Sequence, residues 1–74
     1  MGGFENMKDI LVNSEIIKLD SFLKWAGAVS LGSEAKILIQ GGEVKLNGTV
    51  EVQRGKKLKK GDIIELNGES YRII

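Results

Sequence analysis

A chain of 74 residues without Cys or His has room for one small domain, held together without disulfides and without the usual transition-metal ligand sets. The same absences remove the commonest general base and the thiol nucleophile, and no Ser–Lys or Ser–His arrangement can be argued, so no catalytic residue, metal or cofactor is assigned and a non-enzyme is expected. The net charge is only +1, yet residues 1–35 carry −2, residues 36–61 carry +5 and residues 62–74 carry −2, which points to an anionic partner at one face.

The N-terminal Met1-Gly2-Gly3-Phe4-Glu5-Asn6 has neither the basic nor the apolar region of a secretory signal, and Asn6 stands where a myristoylation motif needs Ser or Thr. The apolar runs are a few residues long, far short of a membrane span. A cytoplasmic protein with no membrane partner is expected. Residues 1–14 read as an N-terminal extension, with Met7 as an alternative start, and residues 15–74 as the single domain.

Glu15-Ile16-Ile17-Lys18-Leu19 has the β-branched content of a short strand. Asp20 is placed to cap the helix that follows, in which Leu19, Phe22, Leu23 and Ala26 recur at the spacing of one buried stripe. Gly27 ends it. After a tight connector, Ser33 is the expected cap of a second helix, with Glu34 favourable near its N-terminus. Ala35, Leu38 and Ile39 form its buried stripe, Lys36 and Gln40 share the opposite face, and Gly41-Gly42 closes it.

From there the period changes to two. Val44-Lys45-Leu46 and Val50-Glu51-Val52 alternate around the turn Asn47-Gly48. A basic loop, Arg54 to Gly61, follows, with Leu58 as its apolar anchor to the core. Ile63 to Leu66 and Tyr71 to Ile74 read as two strands joined at Asn67-Gly68. The class is α+β: a short helical hairpin packed on a small, mainly antiparallel sheet.

Three pieces of this pattern, in this order, carry a resemblance. They are Lys18-Leu19-Asp20; then Ser33-Glu34-Ala35-Lys36 with Leu38-Ile39-Gln40-Gly41-Gly42 and Val44 through Gly48; then Leu58-Lys59-Lys60-Gly61-Asp62-Ile63-Ile64. Together they resemble the RNA-binding domain named after ribosomal protein S-four, the alpha-L motif, in its stand-alone YaaA-like or YbcJ-like form. The resemblance implies binding of structured ribosomal or transfer RNA, in association with ribosomes, by the helical hairpin and the strand after it. It implies no small-molecule substrate. Two positions depart from the family pattern: Leu31-Gly32 stands where many relatives carry Arg or Lys, and Ile37 where a second basic residue often follows the first.

The candidate RNA-binding residues are Lys18, Ser33, Lys36, Gln40, Lys45, Asn47, Arg54, Lys56 and Lys57. Lys36 can neutralise a phosphate and Gln40 can donate to phosphate or ribose, while N–H groups near Ser33 offer an anion site. Lys18 stands where relatives carry a basic contact, with a strand-edge Lys that blocks aggregation as the plain alternative. Asn47 fits a turn-former better than a contact, because Asn tolerates the left-handed region. Arg54, Lys56, Lys57, Lys59 and Lys60 form the densest cluster, suited to a phosphate backbone without sequence reading. Trp25, beside the buried stripe, is assigned to packing across the helical hairpin rather than to base stacking. Two competing functions are a protein-interaction adaptor using the same fold and a β-grasp sulfur carrier. The ending Arg72-Ile73-Ile74 lacks the Gly-Gly tail that a carrier needs.

Overall fold

In chain order, the residues described by the computed structural model, 7–74, form β1 (Met7–Ile10), β2 (Ile16–Lys18), α1 (Leu19–Trp25), α2 (Gly32–Gln40), β3 (Val44–Leu46), β4 (Thr49–Val50), β5 (Lys57–Lys59), β6 (Ile63–Leu66) and β7 (Glu69–Ile73). Five strands make one sheet in the order β1-β7-β6-β3-β4, and β2 pairs with β5 in a separate two-stranded ribbon. All pairings are antiparallel except β1 with β7. Both Asn-Gly pairs take positive φ at each residue, 51° and 88° at Asn47-Gly48 and 54° and 77° at Asn67-Gly68. That is the backbone hand which matches the twist of a two-residue hairpin.

One face of the sheet is the floor of the core. Val44, Leu66, Ile64, Tyr71 and Ile73 point inward against Leu19, Phe22 and Leu23 of α1 and Ala35 and Ile39 of α2. Phe22 meets Tyr71 edge to face, with centroids 6.3 Å apart and an interplanar angle of 82°. Leu58 enters the same core from the ribbon and is fully buried.

The structure corrects several expectations. Neither Asp20 nor Ser33 caps a helix through its side chain: α1 starts after Lys18 and α2 after Leu31. At α1 the free donors are used by backbone, since the N–H groups of Leu19 and Asp20 donate to the carbonyls of Lys56 (2.8 Å) and Arg54 (3.1 Å). The Asp20 carboxylate accepts from Ser21 N–H within the first turn instead. The supposed loop of residues 54–61 contains β5, because Ile17 and Leu58 pair in register and bury together with α1. The strand expected over residues 50–52 stops at Val50, after which Val52 is exposed.

The boundary expected at residue 15 falls inside the packed body. β1 adds to the edge of β7, and Val12 is buried with its N–H donating to the Ile74 carbonyl at 3.1 Å. Of the expected extension, residues 1–6 lie outside the described residues. The sequence hid β1 because Met7-Lys8-Asp9-Ile10 has no alternation: its two charged residues are neutralised by partners distant in the chain, Lys8 by Glu69 and Asp9 by Arg72.

Candidate nucleic-acid interface

The two-stranded ribbon sets the geometry of the site. Ile17 opposite Leu58 points to the core, so the next pair, Lys18 opposite Lys57, points outward. Two like charges directly across a ladder are unfavourable for folding. Neither has an ion-pair or hydrogen-bond partner among the described residues. The backbone bonds from Leu19 and Asp20 to Lys56 and Arg54 hold the segment before β5 against the start of α1. Lys18, Arg54, Lys56 and Lys57 are thereby gathered at one end of that helix, all exposed.

The other two lysines of the basic cluster are committed to the fold. Lys59 Nζ pairs with Asp62 Oδ1 at 3.0 Å, and the Lys59 N–H donates to Oδ2 at 2.9 Å. Lys60 Nζ donates to the carbonyls of Val12 (2.6 Å) and Ile74 (3.3 Å), tying the end of the sheet together. Asp62 is 6% exposed. Burial, the largest single influence, pushes its pKa up, but it is outweighed by the Lys59 N–H, the Asn47 amide and the Lys59 ammonium, so the carboxyl sits below its ordinary value.

On α2, Ser33, Lys36 and Gln40 lie exposed on one flank with Ile37 among them, while Ala35 and Ile39 face the core. Lys36 has no ion-pair partner among the described residues. The anion site expected near Ser33 is already approached by a carboxylate, because Glu34 Oε1 accepts from the Ser30 N–H at 3.1 Å. α2 packs on α1, whose start carries the ribbon lysines.

Two candidates are not brought to that side. Lys45 projects from the sheet face opposite the helices, directly across from Glu65, and lines a shallow depression with Glu43, Glu69 and Ser70. Asn47 uses both ends of its carboxamide in the fold: Nδ2 donates to Asp62 Oδ1 (3.1 Å) and Oδ1 accepts from the Ile63 N–H (2.9 Å). Trp25 does not pack across the hairpin; its indole N–H donates to the Leu11 carbonyl at 2.8 Å and the residue remains 57% exposed. Lys24, exposed beside it and without an ion-pair partner among the described residues, was not among the candidates. Its signal is its place off the buried stripe of Leu19, Phe22 and Leu23, next to Trp25 in the last turn of α1.

Comparison with known proteins identifies the family and the fold. The family model of the S4 domain matches residues 10–74. The chain is 37% identical over 66 residues to a Bacillus subtilis protein named "Probable ribosome maturation protein RlbA", covering 88% of this chain and 93% of that one. It is 33% identical over 58 residues to the Escherichia coli protein named "Putative RNA-binding protein YbcJ", covering 78% of this chain and 83% of that one. The solution structure of E. coli YbcJ, described as revealing an alpha-L motif involved in RNA-binding, superposes with a TM-score of 0.64 at 28% identity, over 93% of this chain and 86% of that one. The 30S ribosomal protein S4e of Thermoplasma acidophilum gives a TM-score of 0.62 at 26% identity over 81% of this chain, which spans only 32% of that larger protein.

Proposed function

The chain belongs to the S4 domain family, and from that premise we propose that it is a non-catalytic RNA-binding protein of the cytoplasm that docks on structured ribosomal or transfer RNA and works in association with ribosomes. The observation that carries the reading is the uncompensated Lys18–Lys57 pair, flanked by Arg54 and Lys56. A fold that places two lysines opposite each other with no acid between them gives up stability that an RNA phosphate backbone would restore. The names of the relatives, one a ribosome maturation protein and one an RNA-binding protein, favour the same ligand class. Lys36 and Gln40 extend the surface along α2. Lys45, Asn47 and Ser33 contribute less, since the first faces acids, the second is engaged in the fold and the third shares its helix end with Glu34.

The test is charge reversal of Lys18 and Lys57 in the full chain, with crosslinking in cells and sequencing of the bound RNA. Loss of ribosomal or transfer RNA from the variant's crosslinks supports the proposal, and an unchanged RNA profile refutes it. A protein-interaction adaptor is the second reading, favoured by Ile37, which is 72% exposed in the middle of the α2 flank. Recovery of a stoichiometric protein partner after nuclease treatment, abolished by Ile37→Asp, would select it.

A further inference from the structure

We propose that Trp25 is a stacking platform for one unpaired base, so that the RNA this domain takes carries a single-stranded nucleotide next to the phosphates held at the start of α1. This rests on the RNA-binding reading and narrows it to a class of RNA. The first observation is that the largest side chain in the protein is 57% exposed although the core lies one helical step away. Its orientation is fixed. The indole N–H donates to the Leu11 carbonyl, and the next residue, Val12, is buried and bonded to Ile74 at the end of the sheet, so the acceptor is anchored too. With the polar edge engaged, the surface left for a ligand is the ring itself, and a held ring loses little freedom on binding.

The second observation is the company the ring keeps. Trp25 borders two shallow depressions, one lined by Ser21 and Lys24 and the other by Val12, Asn13, Ser14 and Ile17. Among the described residues, Lys24 has no ion-pair partner and the Asn13 carboxamide makes no hydrogen bond. Lys18, Ser21 and Trp25 follow one another at i, i+3 and i+7 along one flank of the helix. Seven residues at helical rise separate the backbones of Lys18 and Trp25 by about 10 Å along the helix. A strand whose phosphates sit on Lys18 and Lys57 thus runs toward a fixed aromatic face, with a cation for the stacked nucleotide's phosphate and an amide for its base edge. An aliphatic knob from a protein partner would fill the apolar part and leave Lys24 and Lys18 without counter-charges. The carboxylates closest in sequence are Glu15 and Asp20, and the latter already accepts from Ser21 N–H at 2.7 Å.

The chain has one tryptophan, so its fluorescence reports this site alone. The experiment titrates the full-length protein, at low salt, with an RNA hairpin bearing a single-nucleotide bulge and with the same hairpin fully paired. The bulged RNA is expected to quench the indole emission and shield it from acrylamide, and the paired RNA to do neither. Trp25→Ala is expected to weaken the bulged RNA roughly 5- to 150-fold, the range of one base–aromatic stack, with little effect on the paired one. Trp25→Phe keeps a smaller platform and is expected to fall between. Emission and acrylamide access that stay unchanged at saturating bulged RNA overturn the proposal while leaving RNA binding intact, and this reading needs no variant to fold. If neither hairpin binds the wild-type protein, both this inference and the RNA-binding reading fall.

Discussion

Replacing Lys18 and Lys57 together by Gln separates the cations that meet RNA from those that hold the fold. Four cations near the start of α1 lack ion-pair partners among the described residues: Lys18, Arg54, Lys56 and Lys57. If each neutralises one phosphate, the log–log dependence of affinity on salt has a slope of about −2.8 to −3.6, at roughly 0.7–0.9 per phosphate. Raising salt from 50 to 200 mM then weakens the wild-type complex by roughly 50- to 150-fold. With two contacts gone the slope becomes about −1.4 to −1.8, and the same step costs only roughly 7- to 12-fold. Folding stability moves the other way, rising by about 0.2–1 kcal/mol at low salt as the cross-strand repulsion disappears. The assay is anisotropy of a labelled hairpin across a KCl series, with urea unfolding in parallel. Lys59→Gln is the control, because its ammonium serves Asp62. It is expected to lower stability and leave the slope alone. A slope flattened as much by Lys59→Gln as by the double neutralisation would refute the division.

Asp62→Asn removes the charge that gathers Lys59 and Asn47 and is expected to cost about 2–3 kcal/mol in urea unfolding. Because the folded-state pKa of Asp62 is lowered, its contribution is complete above the unfolded value of about 3.9 and disappears as pH falls through the lower folded value. The variant's stability should therefore depend less on pH in that acid range than the wild type's; parallel acid profiles would refute this. A chain beginning at Glu15 lacks β1 and Val12, so it loses at least the roughly 1.5–3 kcal/mol of one buried aliphatic side chain and bares the edge of β7. Its circular dichroism melt should broaden and fall, and an unshifted melt would return residues 7–14 to the status of an extension. Leu58→Ala empties the anchor of the ribbon and is expected to cost about 2–5 kcal/mol, with RNA binding lost in step with folding.

The elements legible in the sequence were those that state their own geometry. Two Asn-Gly turns, the stripe of Leu19, Phe22 and Leu23, and the Gly42 and Gly27 stops each follow from the conformation of one or two residues. What could not be read was set by partners far away in the chain. β5 is a strand only because β2 lies beside it, and α1 needs no side-chain cap only because residues 54 and 56 offer carbonyls. The candidate site divides on the same line. Exposure of the lysines followed from their positions, but nothing in the run Lys56-Lys57-Leu58-Lys59-Lys60 says that the first two are unpaired and the last two engaged. That depends on Asp62 two residues beyond Lys60, and on Val12, which is 48 residues before it.

A net charge of +1 looks too small for a polyanion-binding domain. The structure removes the difficulty by segregation. Among the described residues, the edge pair β1–β7 neutralises itself through Lys8–Glu69 and Asp9–Arg72, and Lys45 stands among Glu43, Glu65 and Glu69 on the face away from the helices. On the other side, Lys18, Lys24, Lys36, Arg54, Lys56 and Lys57, none in an ion pair among the described residues, lie on α1, α2, the ribbon and the segment before β5, where they outnumber the acids Glu15, Asp20 and Glu34. The outer face nearly balances its cations with carboxylates, so the net positive charge a polyanion meets is on the side of the helices and the ribbon. Orientation is then selected before contact, which a uniformly basic domain of the same size could not do. The near-neutral total is the consequence of that arrangement, and neutralising the acids of the outer face (Glu43, Glu65 and Glu69 to Gln) is accordingly expected to raise overall RNA affinity while adding non-productive binding that Lys18→Gln/Lys57→Gln no longer abolishes. Binding by the triple variant that still vanishes with those two lysines would show that the acidic face plays no part in selecting the docked orientation.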